Sequence, residues 1–357
     1  MDTTTTTVPF FVKPELTPER REFYGRLGTR NMAPLWEVFA SLFPPQPAPL
    51  TAPVLWKYDQ VRALLLEAGR LLTPKEAERR VLVLENPGLR GLSRVTHSLY
   101  AGLQLIMPGE TARAHRHASA AIRFVLEGSS AYTAVEGERT TMRPGDFILT
   151  PSWTYHDHGN PADGEATIWL DGLDMPLVNL FEASFAEHFP GETQPHTVEE
   201  GDSLARYGAN MLPVDFQATR LSSPIFNYPY SRSRATLEEL YRNGPVHESH
   251  GVKLRYVNPV TGGYPMPTIG AFMQLLPAGF SCAPYRQMDA ATYAVVEGRG
   301  RTRVGDTTFE WGPRDIFVAP SWAPIAHEAR EDAVLFSMSD RPAQQLLGLW
   351  REQVPSL

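Results

Sequence analysis

The sequence predicts a mainly β protein in which one β-rich unit occurs twice, with helices ahead of the first copy and between the two. Three observations carry this reading. From Val95 onward the chain alternates over short stretches. Tyr100, Gly102 and Gln104 share one face, while Leu99, Ala101, Leu103 and Leu105 share the other. The 32 prolines and 27 glycines interrupt these stretches often, as strands joined by turns require. Finally, residues 277–298 overlay 107–128 with an offset of 170 (279 − 109), and 309–329 overlay 140–160 with an offset of 169 (320 − 151).

Taken in order, residues 1 to about 14 read as a loose arm. Residues 16–27 read as a helix, because Thr17 can cap it and Pro18 suits the first helical position. Further helices are predicted near 34–42 and 58–68, separated by the proline-rich run PPQPAPLTAP. A strand closed by a turn follows over 78–89. The first β-unit ends near Asp174, and the apolar spacing of 177–189 predicts an amphipathic helix. Residues 190 to about 245 read as a connector with a helix at 235–242, and 341–353 as a closing helix.

Composition narrows the function. The formal charge of −7 and the absence of a basic cluster leave nucleic acid without an electrostatic footprint. Cys282 is the single cysteine, so no intrachain disulfide forms. No apolar run approaches the roughly 18 residues a membrane span needs. The first residues lack the basic and apolar regions of a signal peptide, so a cytoplasmic location is expected.

The chemistry concentrates between Pro108 and Asn160. His115 and His117 sit two apart in a strand-like run, so both side chains leave one face about 7 Å apart. His156 returns after a turn-rich segment and can lie on an antiparallel neighbour. Three neutral imidazoles converging from two strands suit a divalent first-row metal and leave coordination positions open. Fe(II), Mn and Ni all fit such a set. In the second copy His115 maps to Tyr285, His117 to Gln287 and His156 to Ile325, which do not form a divalent-metal site. Only His158 keeps a counterpart, His327.

This spacing resembles the cupin family. Gly109, His115, His117 and Gly128 match its first motif, and Gly145, Pro151, His156 and Asn160 its second. Ala121 stands where the family has a glutamate, and Trp153 replaces the second motif's inner glycine. The resemblance implies a bicupin of two double-stranded β-helix (jelly-roll) barrels. Residues 1–94 would form a helical arm with lead-in strands, 95–176 the metal-binding barrel and 177–244 a helical connector. Residues 245–338 would form a structural barrel without metal, and 339–357 a C-terminal helix. Loss of the glutamate frees a coordination position and leaves the metal's charge uncompensated, which favours a substrate that chelates through anionic oxygens.

Around the histidines other residues read two ways. Arg123 shares their parity if the strand runs on unbroken, and a buried guanidinium there needs a partner such as a substrate carboxylate. Arg79 reads equally as surface or pocket. Gln104 is either a satisfied core amide or a substrate contact, with Gly102 leaving room beside it. His158 shares the face of His156 and is either an acid/base group or structural, the retained His327 favouring the latter. Asp171 and Asp174 read as caps or loop anchors, and Trp153 and Tyr155 as core aromatics.

More specifically, the chain is similar to the gentisate 1,2-dioxygenase group, which includes enzymes cleaving salicylates and 1-hydroxy-2-naphthoate. The likeness is strongest in ERRVLVLENPGLRG, HRHASAAIRFVLEG, PSWTYHDHGN, WLDGLDMPL and SDRPAQQLLGLWRE. It implies one Fe(II) per subunit on His115, His117 and His156, and a group that also lacks the glutamate at Ala121. It places Arg79, Gln104, Arg123, His158 and Asp174 in the substrate pocket, with His158, Gln104 and Arg123 as catalytic groups and Tyr100 and Gly102 facing the cavity. The implied reaction cleaves a 2-hydroxybenzoate with dioxygen between the carboxyl- and hydroxyl-bearing carbons, gentisate giving maleylpyruvate. Salicylate, 5-substituted salicylates and 1-hydroxy-2-naphthoate are alternatives, and a homotetramer is expected. A metal-dependent isomerase or a ligand-binding cupin is the more distant reading.

Overall fold

The computed structural model describes residues 15–355. The arm expected over residues 1 to 14 lies outside the described residues. The described residues form two compact units, divided between Ala48 and Pro49. In the first, helix Pro18–Gly28 starts as the sequence dictates: Thr17 Oγ1 accepts from the Arg20 amide at 3.3 Å. Helix Leu35–Leu42 is tied to it by Trp36 Nε1 donating to the Tyr24 hydroxyl at 2.7 Å.

The larger unit holds two barrels of the same plan. In the first, a six-stranded sheet runs in the order Asn227–Tyr228, Phe147–Thr150, Ala121–Glu127, Thr167–Leu173, Tyr100–Ile106, Val81–Val83. It closes on a five-stranded sheet ordered Ala186–His188, Thr111–His117, His156–Gly159, Tyr132–Val135, Glu138–Thr141. The second barrel's large sheet repeats the order with Val54–Trp56, Ile316–Ala319, Ala291–Glu297, Ala333–Ser339, Gly270–Leu276 and Val252–Arg255.

Each large sheet borrows its edge from the lead-in of the other copy. Val54–Trp56 pairs with Ile316–Ala319, and Asn227–Tyr228 pairs with Phe147–Thr150. The helix after each borrowed strand, Tyr58–Leu71 or Tyr230–Asn243, is anchored identically. The Tyr58 amide donates to Asp315 Oδ1 and the Tyr230 amide to Asp146 Oδ1, both at 2.9 Å. The duplication therefore extends upstream of the strands that overlay in sequence. It also builds residues 49–94 into the barrel unit rather than into the N-terminal unit.

The outward faces of the two large sheets form one shared core. Leu103, Leu105, Phe124 and Leu170 pack with Met273, Val318 and Phe336, and the rings of Phe124 and Phe336 stack at 4.0 Å. Alternation thus sends Leu99, Ala101, Leu103 and Leu105 to this core and leaves Tyr100, Gly102 and Gln104 for the barrel interior. The second interior is filled by Tyr285, Tyr293, Trp311, Phe317 and Ile325.

Two predicted elements differ, and one helix was not predicted. Residues 177–189 are not one helix: a short helix, Met175–Leu180, is followed by strand Ala186–His188, which pairs with the histidine strand. The apolar spacing of Phe181, Phe185 and Phe189 fits a helix, but pairing to an open sheet edge decides the local conformation. The closing helix spans only Arg341–Leu346, and Glu352–Gln353 pairs with Arg286–Gln287. The connector holds a helix the sequence reading passed over, Asp202–Tyr207.

Candidate metal centre and active site

His115 and His117 project inward from strand Thr111–His117, and His156 opens strand His156–Gly159 directly opposite His115. One potential ligand nitrogen from each comes within 4.8 Å of the others, among the described residues the single such cluster of three or more metal-ligating side chains. The backbone orients two of the rings. Nδ1 of His117 donates to the Ser119 carbonyl at 2.7 Å, and Nδ1 of His156 to the Thr154 carbonyl at 3.0 Å. A carbonyl only accepts, so the proton sits on Nδ1 and the Nε2 lone pair is left for a metal. Burial, reinforced by Arg123 and, for His115 and His117, by Arg79, holds all three neutral: His115 falls to about 2, His117 to about 4, and His156 lies well below the usual range. Ala121, where the cupin motif has its glutamate, is buried and has no side-chain atom that could serve as a fourth ligand.

Arg123 does not continue the histidine strand. The chain breaks at residues 118–120, and Arg123 belongs to Ala121–Glu127 in the opposite sheet. It still meets the histidines, because the two sheets face each other across the barrel. Fully buried, it donates through Nη1 to Thr150 Oγ1 at 2.5 Å and lies 3.7 Å from Asp171 Oδ1. Its Nε, the atom nearest Asp171, has no hydrogen-bond partner among the described residues, and Nη2 makes no hydrogen bond there. Asp171 is pushed up to about 6 by burial, partly held down by Arg123. The sequence reading missed Asp171 as a site residue, although it alternates with Trp169 into the same interior.

Arg79 reaches the site. Its Nη2 stands 2.6 Å from Nδ1 of His115 and also donates to the Arg113 carbonyl. A guanidinium only donates, so Nδ1 of His115 accepts here. Burial and Arg123 lower Arg79 to about 10. Gln104 is 4% exposed and its carboxamide has no hydrogen bond among the described residues. Its counterpart Gln274 donates to the His250 carbonyl. His158, 1% exposed, bonds through Nδ1 to Thr133 Oγ1 at 2.9 Å, and its Nε2 has no hydrogen bond among the described residues. His327 repeats the first bond with Thr302, but its Nε2 is taken by the Tyr285 hydroxyl. The two histidines are equivalent in framework and differ in what their far nitrogen meets.

Two expectations need correction. Asp174 is not brought to the pocket: Oδ1 accepts from the Ala120 amide at 2.8 Å and Oδ2 from Thr268 Oγ1 at 2.5 Å. It ties the barrels together, as Asp340 does by accepting from Ser98 Oγ at 2.6 Å. Nor does Gly102 leave room. A β-carbon there would lie 2.4 Å from Val81 Cγ1 and 3.0 Å from the Tyr100 hydroxyl. Tyr100 does face the site, its hydroxyl kept protonated by burial and Asp171.

Comparison with known proteins follows this geometry. The cupin domain family model matches residues 102–173, the barrel that carries the histidines. The chain is 56% identical over 343 residues to gentisate 1,2 dioxygenase 1 of Aquipseudomonas alcaligenes, covering 96% of this chain and 99% of that one. The chain belongs to the gentisate 1,2-dioxygenase group of ring-cleaving dioxygenases. A 5-aminosalicylate 1,2-dioxygenase of Comamonas sp is 38% identical over 90% of this chain and 87% of that one. The salicylate 1,2-dioxygenase of Pseudoaminobacter salicylatoxidans, solved as adducts with gentisate, superposes with a TM-score of 0.91. It shares 32% identity over 97% of this chain and 96% of that one. The enzyme is therefore a bicupin dioxygenase, as the paired motifs predict.

Proposed function

We propose that this dioxygenase opens the ring of gentisate between its carboxyl- and hydroxyl-bearing carbons, using one Fe(II) per chain on His115, His117 and His156. One observation carries the reading: three neutral imidazoles converge in the barrel whose interior holds, among the described residues, a buried arginine with spare donors. Iron would supply redox chemistry with dioxygen and the Lewis acidity that favours an ionised phenol. The second barrel, over residues 245–338, serves as structure, and the first, over 95–176, as the catalytic domain.

The chain's own groups then divide the remaining work. Arg123 turns Nη2 to the substrate carboxylate, and its bond to Thr150 fixes the plane of the fork. His115 would offer its Nε2 lone pair to a metal with the proton on Nδ1, the tautomer in which Arg79 can no longer donate to that nitrogen. That frees Arg79 as a second donor to the same carboxylate. Gln104 and Nε2 of His158 hydrogen-bond the ring's oxygen substituents, and Tyr100 lines the approach. Dry walls of Ile106, Val125, Ile148 and Trp169 support the site and strengthen these contacts. No helix among the described residues is long and apolar enough to cross a membrane, and a cytoplasmic homotetramer is the form we propose.

The test is oxygen uptake by anaerobically iron-loaded enzyme over gentisate, salicylate, 5-aminosalicylate and 1-hydroxy-2-naphthoate. Stoichiometric uptake with gentisate, and the highest kcat/KM for it, is expected. A higher kcat/KM for any other acid would overturn the substrate assignment, and uptake with none would overturn the reaction.

A further inference from the structure

Arg116 lies between the two metal-site histidines of its strand and points the other way, to the barrel's outer surface. Its guanidinium is gripped on three sides. The rings of Trp153 and Tyr155 each lie 4.5 Å from it, and Glu187 Oε2 accepts from its Nε and Nη2 at 2.9 and 2.6 Å. Glu187 is its direct cross-strand partner on Ala186–His188. The residues flanking that strand come to the same place: Phe185 packs on Trp153 at 4.2 Å, and Phe189 meets Tyr155 at 5.0 Å. Trp153 and Tyr155 are thus half-buried clamp residues rather than core aromatics.

The clamp sits where regular pairing gives out. The register between the two histidine strands shifts between Ala112 and His115, and the last paired residues are His115 and His156. His117 lies beyond the start of the neighbouring strand. There the loop 151–155 takes over, with the Trp153 amide donating to the His117 carbonyl at 2.9 Å and Ser152 Oγ to the Ala118 carbonyl. The two rings gripping Arg116 therefore belong to the loop that delivers His156, while Arg116 belongs to the strand that delivers the other two ligands.

The second barrel provides a comparison inside the same chain. It keeps the arginine and the tryptophan as Arg286 and Trp322, and the Trp322 amide donates to the Gln287 carbonyl in the same way. Pro324 replaces Tyr155, and Gln353 stands opposite Arg286 where Glu187 stands opposite Arg116. No cation–π contact of Arg286 occurs among the described residues. The backbone contact is common to both barrels, and the complete clamp occurs only where histidines must converge.

We infer that Arg116, held by Trp153, Tyr155 and Glu187, is a positioning residue that locks the His115–His117 strand to the His156 loop and so sets metal affinity. The inference rests on the metal reading above. Its test is anaerobic Fe(II) titration of full-length apoprotein against a chromophoric chelator, with the thermal midpoint of the apoprotein recorded alongside. Arg116→Ala should weaken Fe(II) binding about tenfold, the lower end of effects for groups that orient metal ligands. Arg116→Lys should recover part of the loss. Tyr155→Leu should weaken binding similarly, whereas Tyr155→Phe, which keeps the ring, should not; this pair keeps the test valid should Arg116→Ala fail to fold. Arg286→Ala should leave affinity unchanged. Wild-type affinity in both Arg116→Ala and Tyr155→Leu, or equal weakening by Arg286→Ala, refutes the clamp alone. A wild type that takes up no metal removes the metal reading and the clamp together.

Discussion

Replacing Arg123 by methionine separates what this residue does for the fold from what it does for substrate. The guanidinium is fully buried beside Asp171, with the nearest approach at 3.7 Å and one bond to Thr150. Removing it leaves a buried carboxylate without its cation. Breaking such a pair costs about 3–5 kcal/mol, and the long separation puts this one near about 3. At a denaturant slope of about 3 kcal/mol per molar, the urea midpoint falls by about 1 M. Arg123→Met/Asp171→Asn removes both charges and should recover most of that loss. Activity should not recover with it. A charge-assisted bond to the substrate carboxylate contributes about 2–3 kcal/mol, so kcat/KM should stay roughly 30- to 150-fold down in both variants. The measurements are urea unfolding of the apoprotein and oxygen uptake of the iron-loaded enzyme. If the double variant regains activity along with stability, Arg123 is a structural partner of Asp171 and the carboxylate assignment is wrong.

Three further outcomes are expected. His117→Ala should lose the bound metal and Gln287→Ala should keep one per chain by elemental analysis; equal loss in both would refute the single-site reading. Gly102→Ala forces a β-carbon against Val81, a stiff β-branched neighbour, and should destabilise by about 1–3 kcal/mol. Adding Val81→Ala should restore most of this, and a double variant no more stable than the single would show the crowding to lie elsewhere. Asp340 is raised by burial to about 6, above the roughly 3.9 of an unfolded aspartate. The folded state thus holds its proton more tightly, so this group favours folding below about pH 4, and that contribution fades as pH climbs to about 6. Asp340→Asn should flatten this part of the apoprotein's thermal profile, and parallel wild-type and variant profiles would exclude the effect.

Much of the architecture was legible because it is local. Alternation separated Leu103 and Leu105 from Gln104, and the shared core follows that division. The capped start of the first helix and the two histidine motifs needed only neighbours in sequence. Residues 177–189 were misread for the opposite reason: their phenylalanines satisfy a helical period, yet the segment completes a sheet edge it meets only after folding. Arg123 reached the expected neighbourhood by an unexpected route, from the facing sheet rather than along the histidine strand.

The sequence by itself determined the duplicated β-plan, the identity of the three imidazoles and the loss of their equivalents in the second copy, since residue type and spacing suffice for these. Tertiary structure alone decided the exchange of edge strands, the pairing of Arg123 with Asp171, the diversion of Asp174 to an inter-barrel tie and the grip on Arg116. Each of these joins groups from different strands or loops, and their meeting is fixed by how sheets close on one another rather than by any periodicity along the chain.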